Sequence, residues 1–212
     1  MAAIVSTSGV VSTLEELREV LGMPSQSVID KQLSHLDRHS RYFIGRSPFI
    51  LVGTSSREGK CDVSPKGDQP GFVKVIDERN ILIPDRPGNR RADTLINLLE
   101  NPQIGTIFLI PGVEETLRVN GRATITRDQS LLAPCAVAGK SPSLGIIVEV
   151  DEVYFHCAKA FKRSSLWSSE DWVGRGDLPS LGEIMAEQLR ISDKSGDELN
   201  CEIEEAYRSK LY

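Results

Sequence analysis

Between residues 49 and 155 the chain is a succession of short apolar runs that no helix could use. They are Phe49-Ile50-Leu51-Val52-Gly53-Thr54, Ile81-Leu82-Ile83-Pro84, Ile104 to Ile110, Glu115 to Thr126 and Leu144 to Phe155. Each is rich in β-branched residues, and most are bounded by clusters of Gly, Pro, Asn, Asp or Ser, which is the pattern of strands joined by turns. The run Ser55-Ser56-Arg57-Glu58-Gly59-Lys60 predicts a hairpin whose return strand begins at Cys61. Pro65 has no amide proton to give a ladder, so the return strand is expected to bulge or leave the sheet there. Phe72 to Ile76 predicts another strand before the turn Asp77 to Asn80. The fold class is therefore mainly β, α+β by content, and the expected architecture is a closed or nearly closed antiparallel barrel with helical decoration.

Helical period appears only around this block. Ser12 to Gly22 starts with capping hydroxyls, repeats Leu at 14, 17 and 21, and stops at a glycine. Further helices are expected over Ser27 to Asp37, Ala92 to Leu99, Leu181 to Leu189 and Asp197 to Tyr207. A length of 212 residues suits one domain. It divides into N-terminal helices (1–46), a barrel (47–167) and a C-terminal helical extension (168–212). The net charge of −5 is uneven: Ser168 to Tyr212 holds 11 acidic and 5 basic residues, which leaves the first 167 residues near +1. Such a balance argues against a nucleic-acid coat or an anionic-membrane binder, yet the front of the chain can meet a small anion.

Cys61, Cys135, Cys157 and Cys201 form no CxxC pair, and His35 and His39, spaced i, i+4, lack the glutamate of an HExxH site, so no metal centre is expected. No cationic start followed by an apolar segment opens the chain, and no window approaches a membrane span. The expectation is a cytoplasmic protein with reduced thiols.

The sharpest candidate for chemistry is Pro84-Asp85-Arg86-Pro87-Gly88-Asn89-Arg90-Arg91, which sets three guanidinium groups at the mouth of a helix. Arginine forks match phosphate oxygens, and the first turn of a helix offers unpaired amides and a positive dipole end. A solvated basic loop accounts for the same residues. Asp62 to Asp68 is a second candidate, with Ser64 and Lys66 as donors, and a proline-broken strand end is its plain reading. Arg118, Asn120 and Arg122 share one face of a strand and form a third, which an exposed sheet face explains equally. No GxxxxGK[ST], GxGxxG or GxSxG motif occurs where it could function. The catalytic residues stay unassigned, and a cofactor is the expected source of reactivity.

Taken in order, Cys61 to Asp68, Pro84 to Arg91, Asn101-Pro102-Gln103-Ile104-Gly105, Leu117-Arg118-Val119-Asn120-Gly121 and His156-Cys157-Ala158-Lys159-Ala160 resemble the pyridoxamine 5'-phosphate oxidase-like flavoproteins. The resemblance covers roughly residues 30 to 172. It implies an FMN-binding split β-barrel, a homodimer with FMN at the subunit interface, and a small-molecule substrate with NAD(P)H as a candidate reductant. Asn89, Arg90 and Arg91 match the family's phosphate loop, with Arg86 assisting, and Ser64, Pro65 and Lys66 fall where the family's strand meets the flavin ring. Arg118 matches an arginine beside the ring, although Thr116 stands where the family has glutamine. Lys159, Arg163, Ser164 and Trp167 are expected to approach the flavin from the other subunit. The Arg-Leu-His segment that vitamin B6 oxidation uses is absent, since the chain reads Phe161-Lys162-Arg163-Ser164-Ser165-Leu166-Trp167. The implied function is an FMN-dependent oxidoreductase of another substrate; the alternative is a non-catalytic flavin- or haem-binding barrel.

Overall fold

The computed structural model describes residues 9–212, which fall into two compact units, the first ending at Gln32 and the second running from Leu33 to Tyr212. Residues 1–8, on which the expectation about a leader partly rests, lie outside the described residues. In the first unit, α1 (Leu14–Leu21) forms where its signals predict. The Thr13 hydroxyl accepts the Glu16 amide at 3.2 Å, the Glu16 carboxylate accepts the Thr13 amide at 3.2 Å, and Gly22 ends the helix at φ 72°.

The expected helix 27–37 is corrected to a shorter one, α2 (Gln26–Asp30). Backbone pairing in the second unit takes the remainder: the Leu33 amide donates to the Val153 carbonyl at 2.9 Å, Val153 returns the bond at 2.7 Å, and the Leu36 amide donates to Glu78. A helix that periodicity did not predict, α3 (Arg38–Arg46), then starts on Asp37, whose carboxylate accepts the Ser40 amide at 2.8 Å. Its Ile44, with Leu36 just before it, enters the core.

Seven strands make one sheet: β1 (Phe49–Ser55), β2 (Cys61–Gly67), β3 (Lys74–Val75), β4 (Asn80–Pro84), β5 (Gln103–Leu109), β6 (Thr116–Thr126) and β7 (Gly145–His156). Their order is β2-β1-β5-β6-β7-β4-β3, and every pairing is antiparallel. The sheet has the split-barrel form that the resemblance implies, but β2 and β3 stand at opposite edges, so it does not close. Pro65 needs correction too. It sits in unbroken register opposite Leu51, because β2 is an edge strand and asks no amide of it. The predicted strand 72–76 shrinks to two residues, and Phe72 and Val73 serve the core from a loop instead.

One face of the sheet carries the core. Ile50 and Val52 of β1, Phe108 of β5, Leu117 and Val119 of β6, and Ile146 and Val148 of β7 are fully buried with Ile81 and Ile83 of β4. Helix α4 (Asp93–Glu100) lays Leu98 on this layer, and its Asn97 side chain donates to the Thr54 hydroxyl at 3.0 Å. Between β6 and β7 lies α5 (Gln129–Leu132), not foreseen from the sequence, and after β7 come α6 (Lys159–Ser164), α7 (Leu181–Leu189) and α8 (Gly196–Ser209). The last two carry capping boxes, Ser180 with Glu183 and Ser195 with Glu198.

The longest pairing, β6 with β7, changes register between Asn120 and Gly121. A Cβ at Gly121 would lie far inside van der Waals contact distance of the Glu149 carbonyl oxygen. Only glycine lets the two backbones meet at this bulge. Gly121→Ala is therefore expected to lower the unfolding free energy by about 2–3 kcal/mol, measured by urea denaturation, and an unchanged midpoint would contradict the bulge geometry.

Candidate functional site

Strand β2 alternates in an unusual sense. Asp62, Ser64 and Lys66 lie half-buried on its inner side, opposite Thr54, Val52 and Ile50, while Val63 and Pro65 are exposed on the outer side. Polar residues can border the core here because the sheet ends at β2 and helix α4 stands beside it. The Thr94 hydroxyl, buried in the first turn of α4, donates to Ser64 Oγ at 3.0 Å, and Ser64 donates to Asp62 Oδ2 at 3.0 Å. Side-chain hydrogen bonds thus join the N-terminus of α4 to β2 and form one corner of a cleft of about 720 Å³. That volume lies within the roughly 300–1,000 Å³ of small-molecule sites.

The segment from Asp85 to Ala92 forms the adjacent wall. Arg90 and Ala92 both take left-handed backbone, at φ 61° and 58°, where non-glycine residues are strained by about 1 kcal/mol or more each. Asn89 Oδ1 accepts the Arg91 amide at 3.0 Å and helps hold this turn. Ala92 is the residue before α4 and offers no side-chain cap. Among the described residues, the amides of Asp93, Thr94 and Leu95 have no hydrogen-bond acceptor. These three residues line the cleft, and unpaired amides at a helix start are what an anion site there requires.

The cations divide by partner. Lys66 Nζ lies 3.1 Å from Asp85 Oδ1. Arg86 Nε donates to Asp68 Oδ2 at 2.6 Å, with the two side chains 17% and 1% exposed. Arg91 reaches Asp93 at 2.8 Å in an exposed pair, which raises its already high pKa. Arg90 has no ionic partner among the described residues. Arg86 thus braces the wall, Arg91 is shared with Asp93, and Arg90 is the cation left to an incoming anion.

Ser64, Pro65, Lys66, Arg86, Asn89, Arg90 and Arg91 all line this one cleft. The other sequence candidates stand elsewhere. Arg118 pairs with Glu152 across β6 and β7 and lies 4.8 Å over the Tyr154 ring, while its buried Nε has no hydrogen-bond partner. Lys159, Arg163 and Ser164 are exposed on α6, and the Trp167 indole donates to the Val113 carbonyl at 2.9 Å and stacks on Phe161. Sequence reasoning missed Thr94, the 140–144 segment and Tyr212, which also line the cleft. Thr94 was legible as a hydroxyl in the first turn of a predicted helix. The 140–144 segment was not, because the register Pro84↔Gly145 and the Asp85 amide bond to Leu144 bring it there.

A family model described as pyridoxamine 5'-phosphate oxidase matches residues 36–157. No curated protein matches the chain significantly. Among solved structures, HupZ from Group A Streptococcus is 16% identical with a TM-score of 0.46, over 56% of this chain and 91% of that one. An FMN-binding protein from Syntrophomonas wolfei subsp. wolfei is 13% identical with a TM-score of 0.45, over 68% and 93%. An F420 reductase is 14% identical with a TM-score of 0.42, over 57% and 98%.

Burial pushes the Asp68 carboxyl up, but the Gln69 amide, the Tyr212 hydroxyl and Arg86 together outweigh it and hold the group below the ordinary carboxylate range. A carboxyl depressed in the folded state contributes stability above its unfolded value, about 3.9, and loses that contribution as pH falls through the lower folded value. Asp68→Asn is therefore expected to cost about 1.5–3 kcal/mol at pH 7 and to flatten the fall of stability below about pH 4. Urea unfolding at both pH values checks this; a variant as stable as wild type at pH 7 would overturn the bracing role.

Proposed function

The chain belongs to the pyridoxamine 5'-phosphate oxidase family, and from that membership and the chemistry of the cleft we propose an FMN-dependent oxidoreductase that moves hydride to or from a small molecule. One observation carries the reading: among the described residues, Arg90 has no ionic partner and the first-turn amides of α4 beside it have no acceptor, in a cleft whose neighbouring wall is the polar row of β2. This donor set fits a phosphate dianion, since the first-turn amides of α4 and the Arg90 guanidinium, which has no ionic partner among the described residues, lie at one corner, with Arg91 beside them shared with Asp93. Ser64 and Lys66 lie along the strand from that corner and suit the polar edge of a planar ring. When bound, FMN supplies an N5 atom that accepts or donates hydride. The protein's part is to anchor the phosphate, orient the ring with β2, and supply positive charge from Lys66. Vitamin B6 is not the substrate on this reading, because the Arg-Leu-His segment is missing.

A homodimer completes the site. The outer side of the sheet is apolar where β2, β1 and β5 meet: Pro65 pairs with Leu51, Leu51 with Ile107, and Val63 is 63% exposed. An edge strand with apolar residues outward suits cover by a second copy, whose α6 would then bring Lys159, Arg163, Ser164 and Trp167 to the same ligand. Arg118, on the sheet's outer side near this patch, would lie in the covered region.

Purified protein is expected to be yellow, and acid release followed by mass measurement should identify FMN; a colourless protein that ignores added FMN overturns the reading. Arg90→Ala should raise the FMN dissociation constant roughly tenfold or more, measured by quenching of flavin fluorescence. Stopped-flow reduction by NADH or NADPH that saturates with nucleotide supports turnover, whereas bound flavin inert to reductant and substrate indicates a carrier. Ile107→Glu should convert the dimer to monomer by light scattering and weaken flavin retention, and an unchanged dimer excludes this interface.

A further inference from the structure

The lining of the cleft includes a residue far from the others in sequence, Tyr212. Helix α8 ends at Ser209, Leu211 is exposed, and Tyr212 turns back into the cleft beside Lys140 and Arg86. Its hydroxyl donates to Asp68 Oδ1 at 2.8 Å, the oxygen of the brace that Arg86 leaves free. Lys140 Nζ donates to the Tyr212 carbonyl oxygen at 2.9 Å, and the Arg86 guanidinium lies 5.9 Å from the ring centre. These contacts span 144 and 72 positions of sequence, so they report tertiary placement and no local turn.

We propose that the strap after α8 is the removable wall of the ligand cleft, and that Tyr212 sets how fast a bound anion leaves. Asp68 is almost fully buried and already committed to Arg86, so it is a fixed post to which the phenol returns. Lys140 is exposed and has no carboxylate partner among the described residues. It can therefore face an anion in the cleft while it holds the strap. Among the described residues, the strap is tied by two hydrogen bonds and one ring contact, with Lys210 and Leu211 exposed and only Tyr212 partly buried. Segments held so lightly open on their own, and a ligand shifts their equilibrium only by the contacts it adds to the docked form. Docked, the ring shields the side of the cleft next to Arg86; undocked, it leaves the exit open.

The inference rests on the FMN reading for the identity of the ligand, so its test has one arm with FMN and one without ligand. In the first, FMN release is timed by stopped-flow displacement for wild type, Tyr212→Phe and Tyr212→Ala. Release is expected to be at least about tenfold faster for Tyr212→Ala, with Tyr212→Phe between, and urea unfolding of each variant checks that it is folded under the conditions of the release measurement. Wild-type release rates in both variants overturn the proposal. In the second, ligand-free protein is nitrated with tetranitromethane near neutral pH and mapped by mass spectrometry. Tyr42 and Tyr207, 66% and 54% exposed, are internal references. Tyr212 should react more slowly than both, helped by the Asp68 hydrogen bond that raises its pKa, and should approach their rate in Asp68→Asn. A wild-type Tyr212 that reacts like the references means the strap is undocked and overturns the proposal. A protein that takes no FMN overturns the flavin reading alone, and the nitration pattern then decides the strap.

Discussion

The rest of the structure depends on the close approach of β6 and β7. These are the two longest strands, and all the others are hung from them: β5 and then β1 and β2 on one side, β4 and then β3 on the other. Their register shifts at Gly121, where only a hydrogen atom fits against the Glu149 carbonyl. A bulge at this point adds local twist and redirects the strand. Past it, Val153 of β7 no longer faces β4 and pairs instead with Leu33. The open, split sheet follows from this central pair, because twist carries the two edges apart rather than together.

An edge that is not closed creates the site. In a continued sheet the inner side of β2 would need apolar residues; as an edge it holds Asp62, Ser64 and Lys66, and α4 brings Thr94 to them. Charge is then sorted by burial. Among the ion pairs of the described residues, the most buried carboxylate, Asp68, is paired with Arg86, as an uncompensated buried charge would be costly. Lys66 is paired at intermediate depth, Arg91 at the surface, and Arg90, next to strained backbone, has no ionic partner among the described residues. Such strain persists where the surrounding structure imposes it, and here α4 and the β4 end impose it on both sides.

Legibility in the sequence followed the range of the interaction. The capping hydroxyls before Leu14, the helical periods over Leu181 to Leu189 and Asp197 to Tyr207, most of the strand runs and the hairpin turn after Ser55 are local signals, and they matched to within a residue or two. The failures have a common cause. The helix expected to reach Asp37 stops at Asp30 because Leu33 and Leu36 have distant backbone partners; Pro65 stays in its ladder because edge position removes the demand for its amide. Periodicity carries no information on either point.

For the candidate site, the sequence by itself determined the composition of the basic corner: Asn89, Arg90 and Arg91 immediately before a helix, and the Ser64-Pro65-Lys66 strand. Those residues act through neighbours along the chain, so their spacing alone predicts amides and guanidinium groups in one place. Only the tertiary structure decided which cation is free, since Arg86 and Lys66 find Asp68 and Asp85 across 18 and 19 positions. It alone brought the 140–144 segment and Tyr212 to the cleft, because strand register and the return of the chain after α8 are set by packing that no local pattern encodes.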